Sequence, residues 1–325
     1  MRRLRGEDGA SSIVIGLLLI PLLGFMAIAL DVGVLYAERA QLQNGADAAA
    51  LAIAQECAGP GCAGAAALAA TYANKNANDG AATALTPTFT PPLPAASPPA
   101  LPTVTVTTTT RVAGTNAPAI RHPFAAFIGF DSTSVRATAT AEWGHPSAAR
   151  IILPLALSVC NVTNDFSGTK VLLNFGTTTN CISPSGAAVP GGFGWLVPTL
   201  GQCGMAVDTG MAQTQADPGN SYLAPCDLTL PGLLGKTILI PVYDRAGGTG
   251  SGAWYHVYGF AAFTITGWNF NGGGGIRYLN DATAPSCAGS CRGIQGSFTE
   301  WVSLDGSMTN LDGPNLGASV ARLTK

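Results

Sequence analysis

An uncharged, strongly apolar run of eighteen residues, 13–30, constrains the fold of this chain more than any other feature. A helix of that length is about 27 Å long, and the hydrocarbon core of a bilayer is about 30 Å thick. The run therefore predicts a helix that crosses a membrane. Its anchor residues are Ile13, Leu18, Pro21, Phe25 and Leu30.

The charges on either side of the run predict its orientation. Three arginines lie within residues 1–12, and the next basic residue is Arg39. Basic residues beside a membrane helix favour the cytoplasmic side. We therefore expect a single-pass protein of the cytoplasmic membrane, with residues 1–12 inside the cell and the ectodomain, from about Asp31 onward, outside it.

Two ways of processing the N-terminus compete with a retained anchor. Arginines, an apolar core and small residues at 27–29 also outline a secretory signal peptide. A prepilin-type peptidase would instead cut between Gly9 and Ala10. Retention is favoured because the residues after Leu30 continue the helix, and a cut at Ala29 would leave that helix with a frayed start.

Residues 31–80 predict a helical stalk, with a second helix over 64–78. In its first part, apolar residues recur at helical spacings and so share one face. They are Val32, Leu35, Leu42, Ala46, Ala49, Ala50 and Ile53. This face packs either on the protein's own domain or on other helices of an assembly. Gly45 weakens the helix by roughly 1 kcal/mol relative to alanine and is a candidate for a bend.

Residues 81–102 are predicted to be a linker, because seven prolines lie between Leu85 and Pro102. That many prolines favour a semi-rigid spacer or an exposed loop and disfavour helices and strands.

A small unit of one strand, a short helix and a second strand is predicted for residues 103–145. Alternating Val and Thr indicate the first strand at 103–112, and strict alternation indicates the second at 134–143. The helix is expected at 123–129, between Pro and Gly. Its apolar side chains are expected to cover the sheet, and they are Phe124, Phe127 and Ile128.

Several N-terminal features occur together. Gly9-Ala10 stands at the mouth of the membrane helix, Pro21 within it, and Asp31-Val-Gly33 at its exit, followed by LQNGADAAAL at 42–51. This stretch resembles the TadE/TadG-like proteins of tight-adherence (Flp) pilus assembly, TadG-related members in particular, and the unit at 103–145 is also similar. The resemblance implies a pilin-like or pilus-assembly component in the membrane that is not an enzyme.

One position departs from the pilin-like pattern. Pilin-like members of such systems are cut after a glycine and carry glutamate as the fifth mature residue. A cut after Gly9 would place Val14 there. The missing glutamate argues against polymerisation as a major pilin and favours an anchored accessory protein.

Residues 146–325 predict a mostly β ectodomain, because short runs rich in Val, Ile, Thr and aromatic residues alternate with Gly, Pro and Asn. The runs are 151–157, 171–175, 236–243, 255–270 and 298–304. Residues 259–267 are apolar on both faces and are expected in the middle of a sheet, next to a glycine-rich hairpin loop at 245–252. The predicted fold class is α+β.

Eight cysteines follow the anchor, which predicts up to four disulfides on the exported side. They are Cys57, Cys62, Cys160, Cys181, Cys203, Cys226, Cys287 and Cys291. Cys57 and Cys62 are the most plausible local pair, because Gly59-Pro60-Gly61 lets the chain reverse between them. Cys287 and Cys291 are expected to pair with each other or with earlier strands. The spacing does not fit zinc, since no C-x2-C occurs.

The sequence predicts no catalytic, cofactor-binding or metal-binding residue. A net charge of −2 without a basic stripe argues against nucleic acid as a partner. No G-x-S-x-G occurs, and each of the three histidines has a structural explanation. Asp305-Gly-Ser-Met-Thr309 has the form of a metal-dependent adhesion site, but too few residues follow it, so a turn is expected. The aromatic residues around 254–268 are expected in the core rather than on a sugar-binding face.

The function predicted is a non-catalytic, membrane-anchored structural or accessory component of Tad/Flp-type pilus assembly. Its expected partners are the membrane, other pilus-assembly or secretion proteins, and a second copy of itself through the N-terminal helix. The alternative is a secreted cell-surface adhesin or carbohydrate-binding module, released by signal-peptide cleavage.

Overall fold

Two α-helices begin the fold. α1 (Asp8–Ala58) runs through the predicted membrane segment and the first part of the stalk without interruption, and α2 (Ala65–Asn76) follows it. The structure is a computed structural model that describes residues 8–59, 61–92, 101–112, 114–115, 117, 119–163, 165–175, 180–198, 201–217, 224–270, 275–304, 306 and 308–324.

The rest of the described chain is built of short strands joined by turns. The strands are β1 Ala82–Ala84, β2 Thr88–Thr90, β3 Thr103–Thr110, β4 Ile120–Arg121, β5 Ser132–Thr133, β6 Arg136–Gly144, β7 Ala148–Ile151, β8 Leu155–Ser158, β9 Val171–Asn174, β10 Cys181–Ile182, β11 Ala188–Val189, β12 Phe193–Leu196, β13 Met205–Asp208, β14 Thr214–Asp217, β15 Thr237–Gly247, β16 Trp254–Asn269, β17 Tyr278–Leu279, β18 Gly293–Phe298, β19 Trp301–Ser303, β20 Met308–Thr309 and β21 Ala318–Leu323. Short 3-10 helices lie at Ala125–Ile128, Val159–Asn161, Ala224–Leu228, Leu230–Leu233 and Gly250–Gly252.

The first sheet has the order β1-β3-β6-β21-β19, with β2 also pairing with β3. Strands β3 and β6 are antiparallel neighbours, while β19 and β21 are parallel. The alternation of Val and Ala along β3 and β6 gives the sheet an apolar face, which packs on α1 and α2. The buried residues of this contact are Ala46, Ala49, Ala50, Ile53, Ala54, Ala65, Ala69, Val104, Val106, Ala139, Ala141, Trp143 and Ala321.

The second sheet has the order β14-β12-β8-β15-β16-β18-β9, and β17 also pairs with β16. β14 pairs with β16 as well, which closes strands β14, β12, β8, β15 and β16 into a ring. β16 lies between β15 and β18 and is buried along most of its length. The α+β fold class, the mostly β C-terminal part and the central position of residues 259–267 are therefore confirmed.

All eight cysteines are paired. The disulfides join Cys57 to Cys62, Cys160 to Cys181, Cys203 to Cys226 and Cys287 to Cys291. Each bond connects residues that are close in the sequence, so the disulfides tie local loops rather than the two sheets.

The start of the predicted linker belongs to the first sheet. β1 and β2 both lie within residues 81–102 and pair with β3, so strands form where proline content argued against them. Among the described strands β2 pairs with β3 alone, and prolines are tolerated at the ends and open edges of such a strand. Residues 93–100, which hold three of the prolines, lie outside the described residues.

The predicted helix at 123–129 is a single 3-10 turn, Ala125–Ile128, closed by Gly129 at a φ of 90°. The expectation that its apolar side chains cover the sheet is wrong, because Phe127 is 88% exposed and Phe124 is also exposed. The side chain of Ile128 lies outside the described residues.

The end of the chain returns to the first sheet. β21 pairs with β6, and β19 pairs with β21, so residues beyond the predicted boundary at 145 complete the N-terminal sheet. The hydroxyl of Ser319 on β21 donates to the carbonyl of Ala58, the last residue of α1, at 3.1 Å. Strand β21 therefore packs beside the end of α1.

Candidate membrane-anchoring site

The first half of α1 exposes its apolar side chains on all sides. Among the described residues, α1 is the one helix that is long and apolar enough to cross a membrane, and its most apolar stretch is not buried by the rest of the chain. The predicted anchor residues all lie on this stretch and are exposed: Ile13, Leu18, Pro21, Phe25 and Leu30. A helix that is apolar all round is stable when lipid or other apolar surface surrounds it.

Pro21 lies within the helix, where it removes one backbone hydrogen bond. Such a proline is tolerated in membrane helices. Gly9 and Ala10, the predicted cleavage position, lie in the first turn of α1, and the surroundings of the Ala10 side chain are not described. Cleavage there stays a prediction.

Asp31, the first residue after the apolar run, is held by a loop that is distant in the sequence. One carboxylate oxygen accepts a hydrogen bond from the backbone N–H of Ala125 at 2.6 Å, and the other accepts one from the N–H of Phe124 at 3.3 Å. Asp31 is only 5% exposed. These bonds compensate part of the cost of burying a carboxylate, and they fix the loop at 123–130 beside the exit of the membrane helix.

The loop that Asp31 holds is aromatic and exposed. Phe127 and Phe130 are 88% and 67% exposed, and Phe124 is also exposed. Beyond Asp31, the surface of α1 stays partly apolar, with exposed Val32 and Tyr36. Apolar surface therefore extends from the apolar run onto the neighbouring loop at 123–130.

A shallow groove of about 250 Å³ lies between α1 and the strands that follow this loop. Its lining comprises Val32, Leu35, Tyr36, Arg39, Thr133 and Val135. The lining is mostly apolar, and the guanidinium of Arg39 is its one charged group.

Farther along, α1 is fixed to the first sheet. The buried hydroxyl of Thr108 on β3 donates to the carbonyl of Leu42 at 2.8 Å, and the side chain of Gln43 donates to the carbonyl of Thr138 on β6 at 3.4 Å. The side-chain oxygen of Gln41 accepts from the backbone N–H of Asn78 at 2.8 Å. The helical face predicted from the apolar spacing thus packs on the protein's own sheet from Leu42 to Ile53, whereas Val32 is exposed.

One carboxyl group near this contact has a shifted pKa. Partial burial raises the pKa of Glu38 on α1, and the nearby carboxylate of Asp79 raises it further. Both effects disfavour the ionised form of Glu38, burial more than the charge of Asp79.

The histidines have structural partners. His256 lies 2.6 Å from the buried carboxylate of Asp244, and His122 lies 2.7 Å from the hydroxyl of Thr133. His145 contacts the carbonyl of Ala318 at 3.0 Å. Across the described residues, His, Cys, Asp and Glu nowhere form a group of three that could hold a metal ion. Asp305 and Ser307 of the adhesion-site motif lie outside the described residues.

A second cavity, of about 330 Å³, opens at the glycine-rich end of the β15–β16 hairpin. The rings of Tyr243 and Tyr255 stack in it with centroids 4.2 Å apart. Burial raises the pKa of Tyr255 to about 12, and burial also raises that of Tyr243. Tyr255 and Trp268 are buried, as is Tyr243, which agrees with core packing for these rings, whereas Trp254 and Tyr258 are half-buried.

The sequence of α1 resembles a known protein domain. A comparison with protein-family models matches residues 9–56 to the TadE/G-like Flp pilus-assembly domain. Thus α1 is similar to the TadE/G-like domain. The match covers α1 almost from end to end and stops before α2. Searches of curated proteins and of solved structures found no match to the chain. The resemblance predicted for residues 103–145 stays a prediction.

Sequence reasoning did not predict that Asp31 on α1 holds the loop at 123–130. The residue was noted only as part of the Asp31-Val-Gly33 exit sequence. One feature of the sequence could have indicated this role. Asp31 directly follows the uncharged run, where a carboxylate without a partner would lie close to lipid. Its partner at Ala125 lies 94 residues away, and no local pattern connects the two.

Proposed function

We propose that this protein is a non-catalytic, membrane-anchored accessory component of Tad/Flp-type pilus assembly. The observation that carries the proposal is the match of residues 9–56 to the TadE/G-like domain, on a helix whose first half has no protein cover among the described residues. In this proposal the helix stays in the cytoplasmic membrane, with its N-terminus inside and the disulfide-bonded ectodomain outside the cell. Arginines before the run and disulfides after it support that orientation.

The partners proposed are the membrane, other pilus-assembly or secretion proteins, and a second copy of the chain. The structure favours one part of α1 for helix–helix contacts. Residues Leu42 to Ile53 are occupied by the protein's own sheet, so contacts with other membrane helices would fall on residues 13–36.

Deletion and complementation in the native cell test this function. Deleting the gene should abolish surface pili and adherence, and the intact chain should restore both. A variant with residues 13–30 replaced by an unrelated Leu/Ala helix of equal length should remain in the membrane yet restore pili poorly, if the native helix contacts other components. Unchanged pili after deletion would contradict the proposal.

N-terminal sequencing of the exported protein separates the proposal from the secreted alternative. A start at Met1 or Ala10 supports the retained anchor, and a start at Leu30 supports release as an adhesin. Fractionation of the same sample reports whether the protein stays with the membrane.

A further inference from the structure

The aromatic loop at 123–130 lies at the level where the anchor leaves the membrane. A helix over residues 13–30 spans about 27 Å, which nearly equals the hydrocarbon core and places Asp31 at the boundary with the headgroups. Asp31 binds the backbone of Phe124 and Ala125 directly. The loop is therefore held at the same depth as this boundary.

The side chains of this loop suit that depth. Phe127 and Phe130 are largely exposed, Gly129 closes the turn between them, and Phe124 flanks it. Clustered exposed aromatic residues on a soluble surface mark an interaction site. Apolar side chains of this kind enter about 5–10 Å into the headgroup region of a membrane. Tyr36 is exposed on α1 about 7.5 Å beyond Asp31, and aromatic residues favour the membrane interface.

We propose that the loop at 123–130 dips into the outer face of the membrane as a second membrane contact of the ectodomain, with Asp31 as its positioning residue. The membrane is the occupant that the structure favours, because the loop is continuous with the exposed surface of the anchor. The inference rests on the proposed function to the extent that the anchor must be retained.

The charges beside the loop indicate which force drives the contact. Arg121 and Asp131, on either side of the loop, are both exposed and have opposite charges. The attraction of Arg121 to anionic lipid is largely cancelled by the repulsion of Asp131, so the contact depends on apolar burial. It should form equally on neutral and on anionic membranes.

The test uses the full chain in nanodiscs of phosphatidylethanolamine and phosphatidylglycerol, with trifluoromethyl-phenylalanine at one position at a time. The positions are Phe127, Phe25 in the anchor, and Leu228, a control that is 95% exposed on another 3-10 helix. Fluorine NMR is recorded with a lipid spin-labelled near its headgroup, and separately with a water-soluble gadolinium chelate.

We expect the lipid label to broaden the signals at Phe25 and Phe127, and the chelate to broaden only the signal at Leu228. Neutral phosphatidylcholine nanodiscs should give the same pattern. If the chelate reaches Phe127 as readily as Leu228, the inference is wrong. It is also wrong if Phe127 is shielded from both reagents, which would indicate a protein partner or a second copy. If Phe25 is not in contact with lipid, the proposed anchor itself fails.

Asp31→Ala tests the positioning role. We expect the Phe127 signal to lose broadening by lipid and become accessible to the chelate, while an unchanged Leu228 signal shows that the β domain remains folded. Asp131→Ala is the matched control and should leave Phe127 in lipid. An unchanged Phe127 signal in Asp31→Ala would overturn the role of Asp31.

Discussion

Gly45 of α1 lies so close to Ala73 of α2 that a Cβ added to Gly45 would be 3.3 Å from the Cα of Ala73. The same Cβ would lie 3.4 Å from the carbonyl oxygen of Tyr72. The glycine thus allows two helix backbones to approach each other, and α1 continues through it as helix. This contact holds α2 on the helix that carries the anchor.

Replacing Gly45 should therefore destabilise the contact in proportion to the size of the new side chain. Gly45→Leu should lower the free energy of unfolding by about 1–3 kcal/mol, because the side chain must displace α2. Gly45→Ala should change the free energy of unfolding little. Alanine gains about 1 kcal/mol in helix propensity, and the tight contact of its methyl group with α2 offsets that gain. Unfolding in detergent, followed by tryptophan fluorescence, measures both. Gly33→Leu is the control, because no atom outside the helix's own backbone lies within 4 Å of a Cβ added there, and it should not lower stability.

The hydrogen bond from Thr108 to the carbonyl of Leu42 gives a second prediction. Thr108→Val keeps the shape of the side chain and removes a buried donor, so we expect a loss of about 1 kcal/mol in unfolding free energy. Thr107→Val on the same strand removes an exposed hydroxyl contact with Thr138, and its effect should stay within about 0.5 kcal/mol. Equal losses of unfolding free energy in Thr108→Val and Thr107→Val would show that the hydrogen bond between α1 and the first sheet does not stabilise the fold.

The disulfides should contribute unequally, because they close loops of different length. Replacing both Cys203 and Cys226 by alanine opens a loop with a sequence separation of 23 and should cost about 3 kcal/mol. The same replacement of Cys287 and Cys291, which are four residues apart, should cost about 2 kcal/mol. Denaturant unfolding of the two double variants checks the order. A larger loss for the shorter loop would contradict loop closure as the cause.

Features that depend on local patterns could be predicted from the sequence. The uncharged run predicted the exposed half of α1, and the apolar spacing from Leu42 to Ile53 predicted the face that is buried. The two-sided apolar pattern at 259–267 predicted the centre of the second sheet, and the glycines at 245–252 predicted its hairpin.

Features that depend on distant partners could not be predicted. The pairing of β21 with β6 joins the end of the chain to its first sheet, and it is determined by packing rather than by any adjacent pattern. The prediction that Phe127 covers a sheet failed for a similar reason. Its hydrophobic character indicated burial, but the hydrogen bonds that the backbone of Phe124 and Ala125 donates to Asp31 hold its turn beside the end of the apolar run.

The ion pair between Lys170 and Asp281 predicts how acid affects stability. The Lys170 ammonium, 2.7 Å away, lowers the pKa of Asp281 well below its usual range, and hydrogen bonds from Thr283 add to the effect. The folded state therefore favours the ionised carboxylate. Its contribution should be complete above the pKa of the unfolded chain, about 3.9, and should be lost as the pH falls toward the lower folded value.

Comparison with Asp281→Asn isolates that contribution. The difference in unfolding free energy between the native protein and this variant should be constant above about pH 5 and should shrink as the pH falls below about 4. Glu300→Gln, at an exposed position, is the control and should follow the native protein at every pH. Denaturant titrations at a series of pH values measure these differences. A difference between the native protein and Asp281→Asn that grew on acidification would have the wrong sign and would exclude Asp281 as the group responsible.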